Sequence, residues 1–226
     1  MNCKPIIVVA GEPYSIFLEI FFKTKKKCTF KKPIILIASK KLVYLQMKKL
    51  GFNFDLNLIN LDKLDLKSLK KNQINLIDVN FKFNKIFDKI SDKSNSYINK
   101  SFDIALKILK EENCSGLING PISKKYFLKG KSLGITEYLA KKTKNNNNVT
   151  MLIYNKKLSV SPITTHLPLK DVHKNISKQK IYTHIKLITE FYKKNLKRKP
   201  KIAITGLNPH CESNFKDCEE DTVIIP

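Results

Sequence analysis

Arginine is all but missing from this chain: Arg198 is the only one in 226 residues. The formal charge is nevertheless +24, so the positive charge is almost entirely lysine. Arginine carries the planar fork that grips phosphates and guanine edges through paired hydrogen bonds, whereas lysine is a point charge. The lysines are spread along the whole chain, and no nucleic-acid recognition motif accompanies them. A dedicated, sequence-specific nucleic-acid partner is therefore excluded on this reading. Any contact with polyanions is expected to be weak, sequence-independent and steeply salt-sensitive.

Long apolar runs are missing as well. None approaches the ~20 residues that span a bilayer, and no membrane partner is expected. The first apolar stretch, Ile6 to Ala10, is too short for the core of a secretion signal and reads as a strand. The cysteines (Cys3, Cys28, Cys114, Cys211 and Cys218) are odd in number and scattered, with no C-x-x-C pair. That usage fits a reduced, cytoplasmic setting. Neither G-x-G-x-x-G nor G-x-x-x-x-G-K-[ST] occurs, so any nucleotide must be held in another way.

What is present alternates between strand and helix patterns. Pro5–Gly11 and Pro33–Ser39 are continuous apolar runs, as expected of strands buried on both faces. A helix is expected around Ser15–Lys25. Another follows at 40–50, with Leu42, Leu45 and Leu50 on one face and Gly51 as its stop. Phe54–Asn60 alternates and reads as a more exposed strand; residues 74–79 read as a further one. Ser94–Glu112 carries Ile98, Phe102, Ala105, Leu106 and Leu109 at helical spacing. A short strand is expected to end at Gly120-Pro121, followed by a short helix capped by Thr136. Residues 149–166 read as a hairpin around the turn Asn155–Lys157. Ser177–Asn195 reads as a long helix carrying Ile181, Ile185, Ile188 and Phe191, and residues 200–210 as a last strand. The alternation predicts an α/β fold with a largely parallel sheet. A two-lobed arrangement divides near Asn113, giving 1–113 and 114–226.

Four short motifs fall at expected strand ends: Gly11–Pro13 (GEP), Asn119–Lys125 (NGPISKK), Thr164–Leu169 (TTHLPL) and Gly206–His210 (GLNPH). Ligand sites of open α/β sheets form at the carboxyl ends of strands. Two of the four histidines, His166 and His210, lie in these turns beside prolines. From the residues alone they are either surface histidines or two ligands of one metal.

In order and near-spacing, these motifs together with TEY at 136–138 and the closing EEDTVIIP resemble the 4-hydroxythreonine-4-phosphate dehydrogenase family of pyridoxal phosphate biosynthesis. The resemblance runs from Val8 to the last residue. It implies an isocitrate/isopropylmalate dehydrogenase-like fold with two α/β lobes around a cleft, and a homodimer with its site at the interface. It implies NAD or NADP as cofactor and a divalent metal (zinc, magnesium or cobalt), with His166 and His210 as two of three histidine ligands. It also implies that Thr136 contacts a small phosphorylated amino-acid substrate. Lys124, just after the Gly120-Pro121 turn, is a candidate for the substrate phosphate, as a point charge. Asn208 and Asp171 either orient their histidines or hold their turns. Cys211 either adds a soft ligand beside His210 or fills a small-residue position. His173 and His184 are read as ordinary.

Two departures from the family pattern stand out. Where the family often has histidine before its threonine, this chain has Ile135, which cannot hydrogen-bond a phosphate. That keeps open a four-carbon sugar-acid 4-phosphate as substrate. The chain also stops at Pro226, where the family continues into a segment carrying its third metal histidine. The expectation is therefore a chain incomplete at its C-terminus and inactive by itself. It is a natural truncation, one part of a split enzyme completed by a separate C-terminal partner chain, a fragment of a longer protein, or a non-catalytic complementing subunit.

Overall fold

The structure is a computed structural model that describes residues 4–61, 65–111, 114–145, 148–211 and 218–226. It divides into two compact units, one running to Gly130 and the other starting at Lys131.

The first unit is built on five parallel strands: β1 (Ile6–Val9), β2 (Ile34–Ala38), β3 (Leu56–Leu58), β4 (Ile74–Asp78) and β5 (Gly116–Asn119). Their order across the sheet is β3-β4-β2-β1-β5, and every pairing is parallel. Helix α1 (Phe17–Lys27) joins β1 to β2, α2 (Lys40–Lys49) follows β2, and α3 (Asn95–Lys110) precedes β5. The apolar runs became central strands because both sheet faces are covered. On one face Val8, Ala10, Leu36, Ala38, Ile74 and Leu76 pack with Leu18, Phe21 and Phe22 of α1 and Val43 and Met47 of α2. The rings of Phe52 and Phe54 close over Phe22, at 5.6 and 6.4 Å between centroids. α3 packs against β1, β2 and β5 and buries Tyr97, Ile98, Phe102, Ala105 and Ile108. The expected stop of α2 is realised at Gly51, whose φ of +73° is the left-handed conformation glycine adopts at little cost.

The division after Gly130 falls later than the boundary read near Asn113, a residue outside the described set. The cause is β5: it pairs with β1, residue for residue from Ile6↔Gly116 to Val9↔Asn119. That places the GPISKK turn in the first unit.

The second unit is held by α4 (Ile135–Lys142) and α5 (Lys178–Leu196). Ser177 caps α5, its side chain accepting from the Lys180 N–H, as its position before the apolar period suggests. α4 starts one residue before Thr136, with Gly134 at its N-cap and no side-chain cap, so Thr136 is not the capping residue. The expected hairpin is reduced to one antiparallel bridge, Ile153↔Val160, closed by hydrogen bonds of 2.8 and 3.0 Å. The strand expected over 200–210 does not form among the described residues: Ile202 and Ile204 are 40% and 46% exposed and have no ladder. A strand is made by its neighbour, and apolar alternation alone supplies none. On α5 the buried residues are Ile181, His184 and Tyr192, while Phe191 is exposed.

Candidate functional site

Two motifs of the first unit meet where the sheet changes direction. From β1 the chain winds through α1 to β2 on one side, while β5 pairs on the other. The crevice at the carboxyl ends of such strands is where open sheets hold ligands. Here the Glu12 N–H donates to Pro121 O at 2.8 Å, and the Gly120 N–H to Val9 O at 2.7 Å. A β-carbon on Gly120 would lie 2.1 Å from Ala10 O, and one on Gly11 would lie 2.4 Å from Pro121 O. Glycine is thus required at both positions by close backbone approach.

Glu12 is the buried charge of this crossing, 2% exposed. Its Oε2 accepts from Ser94 Oγ at 3.1 Å, and its Oε1 has no partner. Burial raises its pKa above the ordinary carboxyl range, and the Ser94 hydrogen bond offsets part of that. The sign follows directly: ionising Glu12 costs the folded state more than the unfolded one. Its contribution is fully kept below the ordinary carboxyl pKa and lost as pH rises through the raised value. The stability of the native protein relative to Glu12→Gln is therefore expected to fall across that window, read by urea unfolding at a series of pH values. A pH-independent difference would contradict it. Lys124, the candidate for the substrate phosphate, lies in this unit, exposed, at the start of a short turn of helix (Lys124–Leu128).

The other two motifs belong to the second unit. His166 is exposed, with φ of 58°. A non-glycine residue held there costs about 1–2 kcal/mol, and such positions gather at functional sites. Its ring edge faces Gly134: a β-carbon there would lie 3.3 Å from both Cδ2 and Nε2 of His166, and 3.1 Å from Oε2 of Glu137. Glu137 is gripped from the other side, where Thr165 Oγ1 donates to its Oε1 at 3.1 Å. Its Oε2 is buried without a hydrogen-bond partner. A cavity of about 660 Å³ is lined by Thr136, Glu137, Thr150, Thr165, Lys180 and His184, among others. Ile135, beside Thr136, is half-buried. His184 is buried, with Nδ1 2.9 Å from Thr150 Oγ1, and burial lowers its pKa.

The GLNPH turn is an Asx turn. The His210 N–H donates to Asn208 Oδ1 at 3.1 Å, and the Cys211 N–H to Asn208 O at 3.0 Å. Cys211 also has a left-handed φ, 54°. Glu220, of the closing EEDTVIIP, fastens the turn: its Oε1 accepts from the Asn208 N–H at 2.7 Å. That hydrogen bond, first among several, holds its pKa below the ordinary range. Asn208 is thus a turn-former; Asp171 lies in a 3-10 turn with its carbonyl accepting from Asn175. Among the described residues, no three His, Cys, Asp or Glu side chains come together as a metal group. Sequence reading missed Glu12, Glu137 and Glu220 as working parts. All three stand in or beside motifs it singled out, but a carboxylate is read as surface by default.

A larger pattern links these turns to known proteins. The family model described as pyridoxal phosphate biosynthetic protein PdxA matches residues 29–226. The chain belongs to this family. A 4-hydroxythreonine-4-phosphate dehydrogenase from Sulfurihydrogenibium is 34% identical over 226 residues, covering 98% of this chain and 68% of that protein. The protein of the same name from Aquifex aeolicus is 29% identical over 229 residues, covering 99% and 69%. In three dimensions the chain resembles the 4-hydroxythreonine-4-phosphate dehydrogenase of Klebsiella pneumoniae, with a TM-score of 0.83 at 24% identity over 99% of this chain and 70% of that one. The corresponding structure from Burkholderia phymatum gives 0.79 at 21% identity. At these identities the structural likeness is one of fold. PdxA-family membership places the chain among oxidoreductases of pyridoxal phosphate biosynthesis.

Proposed function

We propose that the chain carries part of a 4-hydroxythreonine-4-phosphate dehydrogenase site. The reaction is NAD(P)-dependent, metal-assisted oxidation of 4-phosphooxy-L-threonine at its C3 alcohol. Loss of CO2 then gives 3-amino-2-oxopropyl phosphate. The observation that carries this reading is the pair of histidine turns in a chain of this family. The overall arrangement is taken to be isocitrate dehydrogenase-like, with two lobes around a cleft, working in the cytoplasm as a homodimer.

The two imidazoles suit zinc or cobalt, whereas magnesium, the third ion the resemblance implies, prefers oxygen donors. His166 offers an imidazole on a backbone conformation that only a constrained turn holds. The missing side chain at Gly134 lets that ring lie beside a buried carboxylate oxygen. His210 offers a second imidazole on a turn fixed by Asn208 and Glu220. A bound ion would supply Lewis-acid stabilisation of negative charge during oxidation and decarboxylation. The nicotinamide would accept the hydride, and the protein orients it. Thr136, in the wall of the second-unit cavity, is the residue assigned to contact the substrate.

Three protein ligands are the usual minimum for a catalytic metal, and the described residues bring no such group together. The 226-residue polypeptide alone is therefore expected to form no NAD(P)H from 4-phosphooxy-L-threonine, NAD(P)+ and a divalent metal. Joined to the part of the Sulfurihydrogenibium relative that lies outside the matched region, it is expected to gain turnover. A soluble, metal-loaded fusion with no turnover on this substrate would overturn the substrate assignment. Ile135 keeps one second reading open: it cannot hydrogen-bond a phosphate or hydroxyl at the head of α4, and turnover of threonate 4-phosphate by the same fusion is the discriminating assay.

A further inference from the structure

One carboxylate in the second unit has half its work done. Glu137 stands in the first turn of α4, with Oε1 bound by the Thr165 hydroxyl at 3.1 Å. Its other oxygen is buried and has no hydrogen-bond partner. A buried carboxylate oxygen left unpaired costs the fold free energy, and native structures keep few of them. The nearest chemistry that would satisfy it is set by Gly134. A β-carbon placed there would lie 3.1 Å from Glu137 Oε2 and 3.3 Å from His166 Nε2. The two atoms thus flank a single glycine with no side chain between them.

The orientation of the His166 ring adds the second half. It turns its Cδ2–Nε2 edge toward Gly134, so Nδ1 lies on the far side of the ring. Thr165, which holds the carboxylate, is the residue before His166 in the chain. One hydroxyl therefore ties the carboxylate to the strained turn that presents the imidazole, whose φ is 58°. A metal-bound imidazole donates its other ring N–H to a carboxylate or carbonyl, which fixes its tautomer and its orientation.

We propose that Glu137 is the positioning residue of His166: its free oxygen accepts the Nε2–H of the imidazole and leaves Nδ1 as the metal-binding nitrogen. The inference rests on the proposed metal role of His166, and it assigns which nitrogen serves and what holds it. Gly134 has a role in the same arrangement. Its absent side chain is the gap through which carboxylate and ring approach.

The test reads the tautomer directly, in the metal-free protein, by nitrogen-15 NMR of the histidine rings at a pH where His166 is neutral. The native protein is expected to show His166 with its proton on Nε2. Glu137→Ala should move the proton toward a mixture with Nδ1, and Glu137→Gln, whose carbonyl can still accept, should keep it on Nε2. Cobalt affinity should fall about 10–100-fold in Glu137→Ala and recover in Glu137→Gln. Far-UV circular dichroism checks that each variant is folded. Should Glu137→Ala fail to fold, Thr165→Val removes only the anchor of the carboxylate and is expected to give the same tautomer mixture. An unchanged Nε2–H tautomer in folded Glu137→Ala or Thr165→Val, or an Nδ1–H tautomer in the native protein, would overturn the proposal. Loss of the metal reading looks different: His166→Ala would bind cobalt as tightly as the native protein while the tautomer results stood.

Discussion

Alanine at Gly11 or Gly120 is expected to cost the fold on the order of 3 kcal/mol, whereas alanine at Gly51 costs about 1 kcal/mol. Gly11 and Gly51 share the same backbone conformation, with φ of +74° and +73°. Left-handed strain is therefore common to both. The difference is space. A β-carbon at Gly51 meets nothing within 4 Å, while one at Gly11 is driven to 2.4 Å from Pro121 O. At Gly120 the obstacle is Ala10 O, at 2.1 Å. Neither obstacle is a side-chain tip that can swing away. Both are backbone carbonyls of segments tied by the Glu12-to-Pro121 and Gly120-to-Val9 hydrogen bonds. Relief would have to separate β1 from β5 where the two turns cross. Urea unfolding of the three variants measures this. A Gly11→Ala protein no less stable than Gly51→Ala would mean that the crossing is looser than its backbone geometry requires.

That crossing was half legible in the sequence. GEP and NGP were readable as strand-end turns because parallel strands buried on both faces appear as unbroken apolar runs, and Ile6–Ala10 and Pro33–Ser39 are such runs. That β1 and β5 are neighbours was not readable, since strand order depends on contacts between residues more than a hundred positions apart. The boundary read near Asn113 moved to Gly130 for that reason. Helix ends were legible where one residue decides them, as at Gly51 and Ser177. The face of α5 was legible at Ile181, which is buried, but not at Phe191, which is exposed. Its buried stripe passes through His184, and a polar residue on an apolar stripe shifts the apparent face by one, from Tyr192 to Phe191. The second unit's strands were over-read, because alternating Ile202 and Ile204 signal a preference that needs a neighbour to be realised. In the site, His166 and His210 stood out through their turns. Glu137 did not, because its hydrogen-bond partner, Thr165, lies 28 positions further along the chain.

With His166 and His210 proposed as ligands of one ion, removing either is expected to have the largest functional effect. Two imidazoles completed by water bind a divalent ion more weakly than a three-ligand site, yet they still supply most of its selectivity for nitrogen donors. Losing a ligand should cost at least the roughly 10–100-fold in affinity that the loss of an outer-shell partner costs. The neighbouring turns supply internal controls. His173 is exposed in a separate 3-10 turn and His184 is hydrogen-bonded to Thr150, so alanine at His173 should leave affinity unchanged. The measurement is a cobalt titration, followed by visible absorption, of the native protein beside His166→Ala, His210→Ala and His173→Ala. The expected result is one ion per chain with nitrogen ligation, weakened at least about tenfold by each of the first two substitutions and untouched by the third. Equal affinity in all four proteins would contradict it.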